Sequence, residues 1–447
     1  MENNNIENKN PKIEQLRNYL YCFKKDLLAK TYPEMKDSLL EMFKKTYQQE
    51  LNDDELFFIY THLSETEVSI LFSTRSLVMN LIKQGNLHPS LIHIDGTFKL
   101  IDLGLPVLQI STETLEHNYR PICFFITYSE SKEQAKTMLS KFSEFMKEKF
   151  NYNFLPNFIL TDNSDALIGS CKDVFSHPYV HITCHFHLMK RLNEKLRKTE
   201  NKPFKGLIKI GIKALKNSPN IQFFKHVWQM LKNLWKLNNV PEKLINTFES
   251  EYINKNFHWY YKCAFPGKSL SNNSLESGNN VVKQFMNRKA HNLKEFLIKM
   301  KEFLIVYSSK EKTTFQIHAS VPPKIKAVAE MFVKEKKYYS TSSEPHKLFF
   351  LRKRIEFGND ELLKESLELH AKKEKVIDTM EEYFNLYSKF RMVNILTQQC
   401  DCGNFAKYSY CKHLIASKIL SGELKEPEVK KKGKPGRKPY IKKALIK

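Results

Sequence analysis

Between residues 91 and 162 the apolar residues fall into four short runs and one helix-length stretch, and that order restricts the fold more than any other feature. The run beginning at Leu91, the segments 106–114 and 120–128, and the run Phe158–Thr161 have the length and content of buried strands. A tight turn separates the second from the third, and residues 131–150 repeat at helical spacing before the fourth. Two hairpin steps followed by a crossover helix predict a mixed sheet, because short turns join antiparallel neighbours whereas parallel strands need a crossover connection.

Two of these strands end in an acid. Asp95 lies in Leu91-Ile-His-Ile-Asp-Gly-Thr-Phe98 and Asp162 closes Phe158-Ile-Leu-Thr-Asp-Asn163, so each carboxylate emerges at a sheet edge. A third acid, Glu276 in Ser274-Leu-Glu-Ser-Gly-Asn279, opens an apolar-periodic segment that reads as a helix. Taken singly, each reads as an ordinary turn or cap acid, since Asp-Gly and Asp-Asn are common turn pairs. Taken together, three carboxylates on such elements can hold two Mg²⁺ ions. Magnesium prefers oxygen ligands, and two ions about 4 Å apart suit in-line displacement at phosphorus.

The order of motifs resembles the ribonuclease H-like DDE/D transposases and integrases, and more closely the Mutator-like transposases. The resemblance rests on Asp95-Gly-Thr-Phe98, Thr161-Asp-Asn-Ser-Asp-Ala-Leu167, Cys184-His-Phe-His187 and Asn273-Ser-Leu-Glu-Ser277, and it spans about residues 88–307. It implies an α/β fold: a ribonuclease H-like domain with a mixed sheet and an all-helical insertion, flanked by helical regions and a small zinc finger. It also implies that Asp95, Asp162 and Glu276 are the catalytic triad and bind Mg²⁺ or Mn²⁺. Cys184 and His187 match the C-x-x-H signature of that family. Thiolate and imidazole match Mg²⁺ poorly, so they are not assigned to the catalytic ions. As half a zinc site they need two more ligands, and no obvious ones lie nearby in sequence; as a buried thiol and a hydrogen-bonded histidine they would shape the site. Gly278 departs from the family, which commonly has a bulky apolar residue there.

Residues 188–270 are too many for a loop, and Leu207, Ile208, Ile212, Leu215, Phe223, Phe224, Val227, Trp228, Leu231, Leu234 and Trp235 recur at helical spacing. This predicts the helical insertion. Trp228 and Trp235, one heptad apart, share a face suited to core packing or, alternatively, to base stacking.

Near the C-terminus, Cys400-Asp-Cys402 and Cys411-Lys-His413 supply four ligand-type residues in two close pairs around Gly403, enough for one structural Zn²⁺ in a closed Cys3His site. The spacing is similar to the SWIM zinc finger, a module that commonly accompanies Mutator-like transposases. A helix is expected over Leu414–Leu420. Cys22, Cys123, Cys171 and Cys263 are scattered and suggest no disulfide framework.

The chain carries 72 Lys and Arg against 49 Asp and Glu, for a net charge of +23. Such a balance attracts a phosphate backbone, although much of it is lysine spread over predicted helical surfaces. The tail Lys430-Lys-Lys-Gly-Lys-Pro-Gly-Arg-Lys-Pro439 cannot build a core. It resembles an AT-hook whose central Gly-Arg-Pro is interrupted as Gly436-Arg437-Lys438-Pro439, with Lys434, Arg437 and Lys438 as DNA contacts, and it also fits a nuclear localisation signal alone.

These readings divide the chain into an N-terminal helical region (1–87), the transposase-like domain (88–307, insertion about 188–270), a helical linker (308–395), the finger (396–422) and a basic disordered tail (423–447). Within 1–87, Leu16, Leu20, Phe23 and Leu27 are periodic, and Ser64-Glu-Thr-Glu67 has capping-box spacing. No apolar run is long enough to span a bilayer, and the polar start Met1–Asn10 lacks a signal-peptide core, so an intracellular and, with the basic tail, nuclear protein is expected. Two function classes stand side by side. One is a DDE transposase acting on transposon ends and target DNA with water and then a freed 3′-hydroxyl as nucleophiles. The other is a domesticated, non-catalytic nuclear DNA-binding or chromatin protein. Retention of all three acids favours the first; the lack of an N-terminal zinc module, with Cys22 the only cysteine before Cys123, favours the second. An interaction adapter built around the finger is a third option, and a homo-oligomer is left open.

Overall fold

The computed structural model describes residues 54–114, 117–218, 220–254, 258–260, 263, 266–310, 321–351, 367–368, 379–383 and 390–424. They form two compact units. One comprises residues up to 320 with 376–389 and 401–411; the other comprises 321–375, 390–400 and 412 onward.

The first unit is built on a seven-stranded mixed sheet of order β1-β2-β5-β4-β3-β6-β7. Its strands are β1 Phe57–Leu63, β2 Val68–Ser73, β3 Leu91–Thr97, β4 Val107–Glu113, β5 Tyr119–Thr127, β6 Phe158–Thr161 and β7 Val180–Thr183. β3, β4 and β5 pair antiparallel in hairpin succession, whereas β6 joins β3 and β7 joins β6 in parallel. The expected strand, turn, strand, helix, strand order is therefore present. Helix α1 (Arg75–Leu87) follows β2, and helix α2 (Lys132–Phe150) makes the crossover between β5 and β6. The crossover helix starts on Ser131, whose side chain accepts from the Gln134 N–H, and it stops at Asn151 in the left-handed region. Both signals are chemically apt, because a serine oxygen satisfies a first-turn N–H and asparagine tolerates positive φ.

Each face of the sheet is covered. Ile92, Ile94, Leu108 and Phe125 pack with Met138, Leu139 and Phe142 of α2 and with Leu167 and Cys171 of α3 (Asp165–Val174). On the opposite face, Ile70, Phe72, Phe124 and Ile126 pack with Phe296, Met300 and Phe303. The helical segment after β7 has its own core around Trp228, Trp235, Phe248, Tyr252 and Trp259. Its helices are α4 (His185–Lys195), α5 (Lys205–Lys216), α6 (Ile221–Leu237) and α7 (Glu242–Phe248). Trp228 and Trp235 are both almost wholly buried, with ring centroids 5.4 Å apart, which leaves no face for base stacking. Two further helices, α8 (Asn273–Phe285) and α9 (Leu293–Lys310), return the chain to the sheet.

The expectation of helices in 1–87 is met by α1 but not over residues 57–73, where β1 and β2 form a hairpin. Ser64-Glu-Thr-Glu67 is its turn: the Ser64 N–H donates to Glu67 O at 2.9 Å, and Ser64 Oγ accepts from the Glu67 N–H at 3.0 Å. A serine oxygen bonded to an N–H three residues on serves a helix start and a tight turn alike, so the spacing could not separate them. The periodic residues Leu16–Leu27 lie outside the described residues.

The second unit corrects the reading of 308–395 as helical. After α10 (Pro323–Lys334), strands β8 Tyr338–Ser340, β9 Lys347–Leu351, β10 Phe390–Asn394 and β11 Gln399–Cys400 form an antiparallel sheet of order β11-β10-β9-β8. Short aromatic-rich strands among many lysines give little periodic signal, and pairing supplies what propensity does not. The finger's last helix, α12 (Lys412–Leu420), follows the short α11 (Gly403–Tyr408) and contains the segment expected to be helical. No helix among the described residues is long and apolar enough to cross a membrane.

Candidate active site and zinc finger

Ile94 of β3 and Thr161 of β6 are partners in parallel register, so the next residues, Asp95 and Asp162, leave adjacent strands at the same level. Glu276 stands in the first turn of α8, a helix that packs on β3, β4 and β5. The three sequence-predicted acids therefore converge. Burial, then the negative charge of Asp162, with further repulsion from Glu276 and Glu130, pushes the Asp95 carboxyl up to about 7. Burial also raises Glu276.

A fourth carboxylate escapes the sequence reading. Glu130 precedes the Ser131 cap of α2 and looks there like routine helix-start chemistry. In the fold it lies against Gly96, where any Cβ would collide with its carboxylate, and burial together with Asp162 pushes it up to about 7. Burial and neighbouring negative charge both favour the neutral form of such acids.

Hydrogen bonds fix the helix that carries Glu276. Asn279, one turn further on, donates to Asp95 Oδ2 at 3.5 Å and accepts from Gln109 Nε2. Gln109 Oε1 in turn accepts from the Tyr119 hydroxyl at 2.5 Å. Buried Glu113 accepts from the Ser269 N–H, ahead of the helix, at 2.9 Å and from the hydroxyl of Ser274, in its first turn, at 3.1 Å, and it pairs with His117 Nδ1 at 2.9 Å. Burial alone would raise the Glu113 carboxyl, but His117 and His93 hold it below its ordinary range. The Asn272 N–H donates to Cys184 Sγ at 3.2 Å, and Asn272 Oδ1 meets His93 Nδ1 at 3.1 Å. Glu113 left no signal in the sequence, because every residue of β4 is buried and no polar alternation marks it out.

Gly278 has a physical reason. A Cβ there would sit 2.5 Å from the Tyr119 ring, which is buried, hydrogen-bonded to Gln109 and packed edge-on against Tyr307. The tyrosine occupies the space of a bulky apolar side chain. Gly278→Ala should therefore destabilise the fold by about 1–3 kcal/mol, overpacking outweighing the helix propensity gained of about 1 kcal/mol. Chemical denaturation checks this, and combining Gly278→Leu with Tyr119→Ala should recover part of the loss of Gly278→Leu alone.

Cys184 and His187 flank the same site. Cys184 stands buried at the residue before α4, and burial pushes its thiol up to about 11 against the pull of nearby backbone N–H groups, that of Asn272 first. His187 Nε2 lies 3.6 Å from Glu276 Oε1, and burial lowers its imidazole. Arg191 reaches Asp162 Oδ2 at 3.6 Å.

In the finger, one potential ligand atom from each of Cys400, Cys402, Cys411 and His413 lies within 4.8 Å of the others, and all four residues are buried. Cys400 Sγ and His413 Nδ1 are 3.7 Å apart. Zinc with ligands at 2.0–2.3 Å in a tetrahedron spaces them at roughly 3.3–3.8 Å, so this pair already has the spacing of a structural zinc site. Cys402 also caps α11, its sulfur accepting from the Phe405 N–H at 3.3 Å. His413 is walled by Phe332 and Phe350, with ring centroids at 5.6 and 5.7 Å. The residues and their packing fit zinc. Lys434, Arg437 and Lys438 lie outside the described residues.

The acid cluster at one sheet edge and the Cys3His finger give the chain two groupings of residue types that bind metals. Comparison with protein families agrees: residues 91–191 match the MULE transposase domain and residues 385–422 the SWIM zinc finger. The chain carries both, in that order. The first match takes in Asp95, Asp162, Cys184 and His187 and ends before Glu276. No curated protein matches the chain.

Proposed function

We propose that this chain is a DDE-type transposase of the Mutator-like class, with Asp95, Asp162 and Glu276 as its catalytic acids. The observation that carries the reading is the meeting of those carboxylates at one sheet edge, with Asp95 raised to about 7 by burial and by its neighbours. The sheet order supports a ribonuclease H-like fold, since antiparallel β5-β4-β3 is continued by parallel β6 and β7. Two Mg²⁺ or Mn²⁺ ions held there would stabilise the attacking and leaving oxygens of a phosphodiester. The protein's own part is positioning. Asn279 orients Asp95, and Glu113 pins the approach to the Glu276 helix through Ser269 and Ser274. Water attacks phosphorus and the 3′-oxygen leaves with a proton; the freed 3′-hydroxyl then attacks a target phosphodiester, displacing its 3′-oxygen.

The net charge of +23 supports DNA as the partner, and the tail with Lys434, Arg437 and Lys438 serves nuclear entry, phosphate contact or both. A domesticated DNA-binding protein is the competing reading. The net charge of +23 fits it equally, since binding DNA through its phosphates requires no cleavage. Purified protein with Mg²⁺ or Mn²⁺ and DNA bearing the element's ends decides between them. Strand cleavage is expected, and Asp162→Asn, which keeps shape but removes a charged ligand, should reduce it at least about 100-fold, beyond the usual loss for a mere supporting partner of a ligand. Equal cleavage by the variant removes the triad assignment. Sequence-independent binding without cleavage selects the domesticated reading.

A further inference from the structure

Cys184 and His187 lack two partners as a zinc site in sequence, and the fold supplies one of them. One potential ligand atom from each of Cys184, His187 and Glu276 lies within 4.8 Å of the other two. Three protein ligands with an open fourth position are the arrangement of an accessible zinc centre, as distinct from a closed structural one. The His187 Nε2 to Glu276 Oε1 separation of 3.6 Å falls inside the roughly 3.3–3.8 Å edge of a tetrahedron around zinc. Among the described residues, Glu276 Oε1 has no hydrogen-bond partner, although the atom is enclosed. The Asn272 N–H donates to the Cys184 sulfur at 3.2 Å, a contact that offsets part of the cost of holding a metal-bound thiolate in this buried position.

We propose that Cys184, His187 and Glu276 form a second site for Zn²⁺ or a similar thiophilic divalent ion, separate from the finger. Its donors select against magnesium, because a thiolate and an imidazole are poor ligands for that ion and good ones for zinc. Glu276 belongs to both sets. Zinc at this site therefore withdraws Glu276 from the catalytic acids, so that thiophilic metal holds the protein inactive; this consequence, unlike the binding itself, rests on the proposed function.

The full-length protein, equilibrated with buffered Zn²⁺ and freed of excess, should hold about two zinc ions per chain, while Cys184→Ser and Cys402→Ser should each hold about one and the double variant none. Cobalt in place of zinc should give a thiolate charge-transfer band in Cys402→Ser that His187→Gln, a change at a partly exposed position, weakens. Circular dichroism on every variant separates lost binding from lost folding. One zinc in the wild type that disappears completely in Cys402→Ser, with no cobalt band remaining, overturns the site. Where DNA cleavage is observed, the second zinc equivalent should reduce the Mg²⁺-supported rate at least tenfold in the wild type. Inhibition of the same size in Cys184→Ser overturns the shared use of Glu276. A second zinc in a protein that never cleaves DNA leaves this site standing and removes the transposase reading instead.

Discussion

Asp95→Asn is expected to make the metal-free protein more stable above neutral pH while reducing divalent-ion-dependent cleavage by at least about 100-fold. The two effects have one cause. Asp95 is held at about 7 against an ordinary 3.8, by burial first and by Asp162 next. Between those values the folded state keeps a proton that the unfolded state has lost, so stability falls as pH rises through the window and the loss is complete above it. At 1.36 kcal/mol per unit the penalty is at most about 4 kcal/mol, shared in practice with Glu130, which burial and nearby charge also raise. Asparagine carries no charge and escapes it. Denaturant unfolding at pH 8 and pH 5 reads the difference, which should narrow at the lower pH. Saturating Mg²⁺ should reverse the order, because only the wild type gains the stability of a bound ion. A variant destabilised equally at both pH values, with or without Mg²⁺, would show Asp95 to be a packing residue.

The central sheet was legible because its signals are local. Apolar runs of strand length, a tight turn and a capped helix are each set by neighbours in sequence, and together they put Asp95 and Asp162 on adjacent parallel strands. What depended on distant pairing was not legible. Strands β1 and β2 need β5 as an edge to join, and β8 to β10 need one another across long gaps in sequence. Glu130 and Glu113 become site residues only when Gly96 and the approach to Glu276 are brought to them. The same holds for the Cys184, His187 and Glu276 cluster, whose third member lies 89 residues beyond His187, the difference of the two positions. Gly278 was an anomaly in sequence and is a fit in space, since its partner Tyr119 sits on another element.

The finger should show the largest effect of any single substitution. Structural zinc contributes about 10–16 kcal/mol to comparable small modules at neutral pH, far more than the short strands and helices around Cys400–His413 can supply by packing alone. Cys402→Ser is the informative change because serine is a good helix cap and keeps the role that the cysteine plays for α11 through the Phe405 N–H. Loss of order can then be assigned to the metal. The variant should hold one zinc fewer than the wild type, and residues 400–422 should become open to proteolysis. Chelation of the wild type should do the same. The seven-stranded sheet has its own cores on both faces, so its cooperative unfolding should survive either treatment. Acid should mimic the chelator, because thiols and the imidazole of His413 must be deprotonated to bind the ion, and zinc affinity falls as pH is lowered. A finger that resists proteolysis after chelation would show that Cys400, Cys402, Cys411 and His413 pack as a metal-independent core.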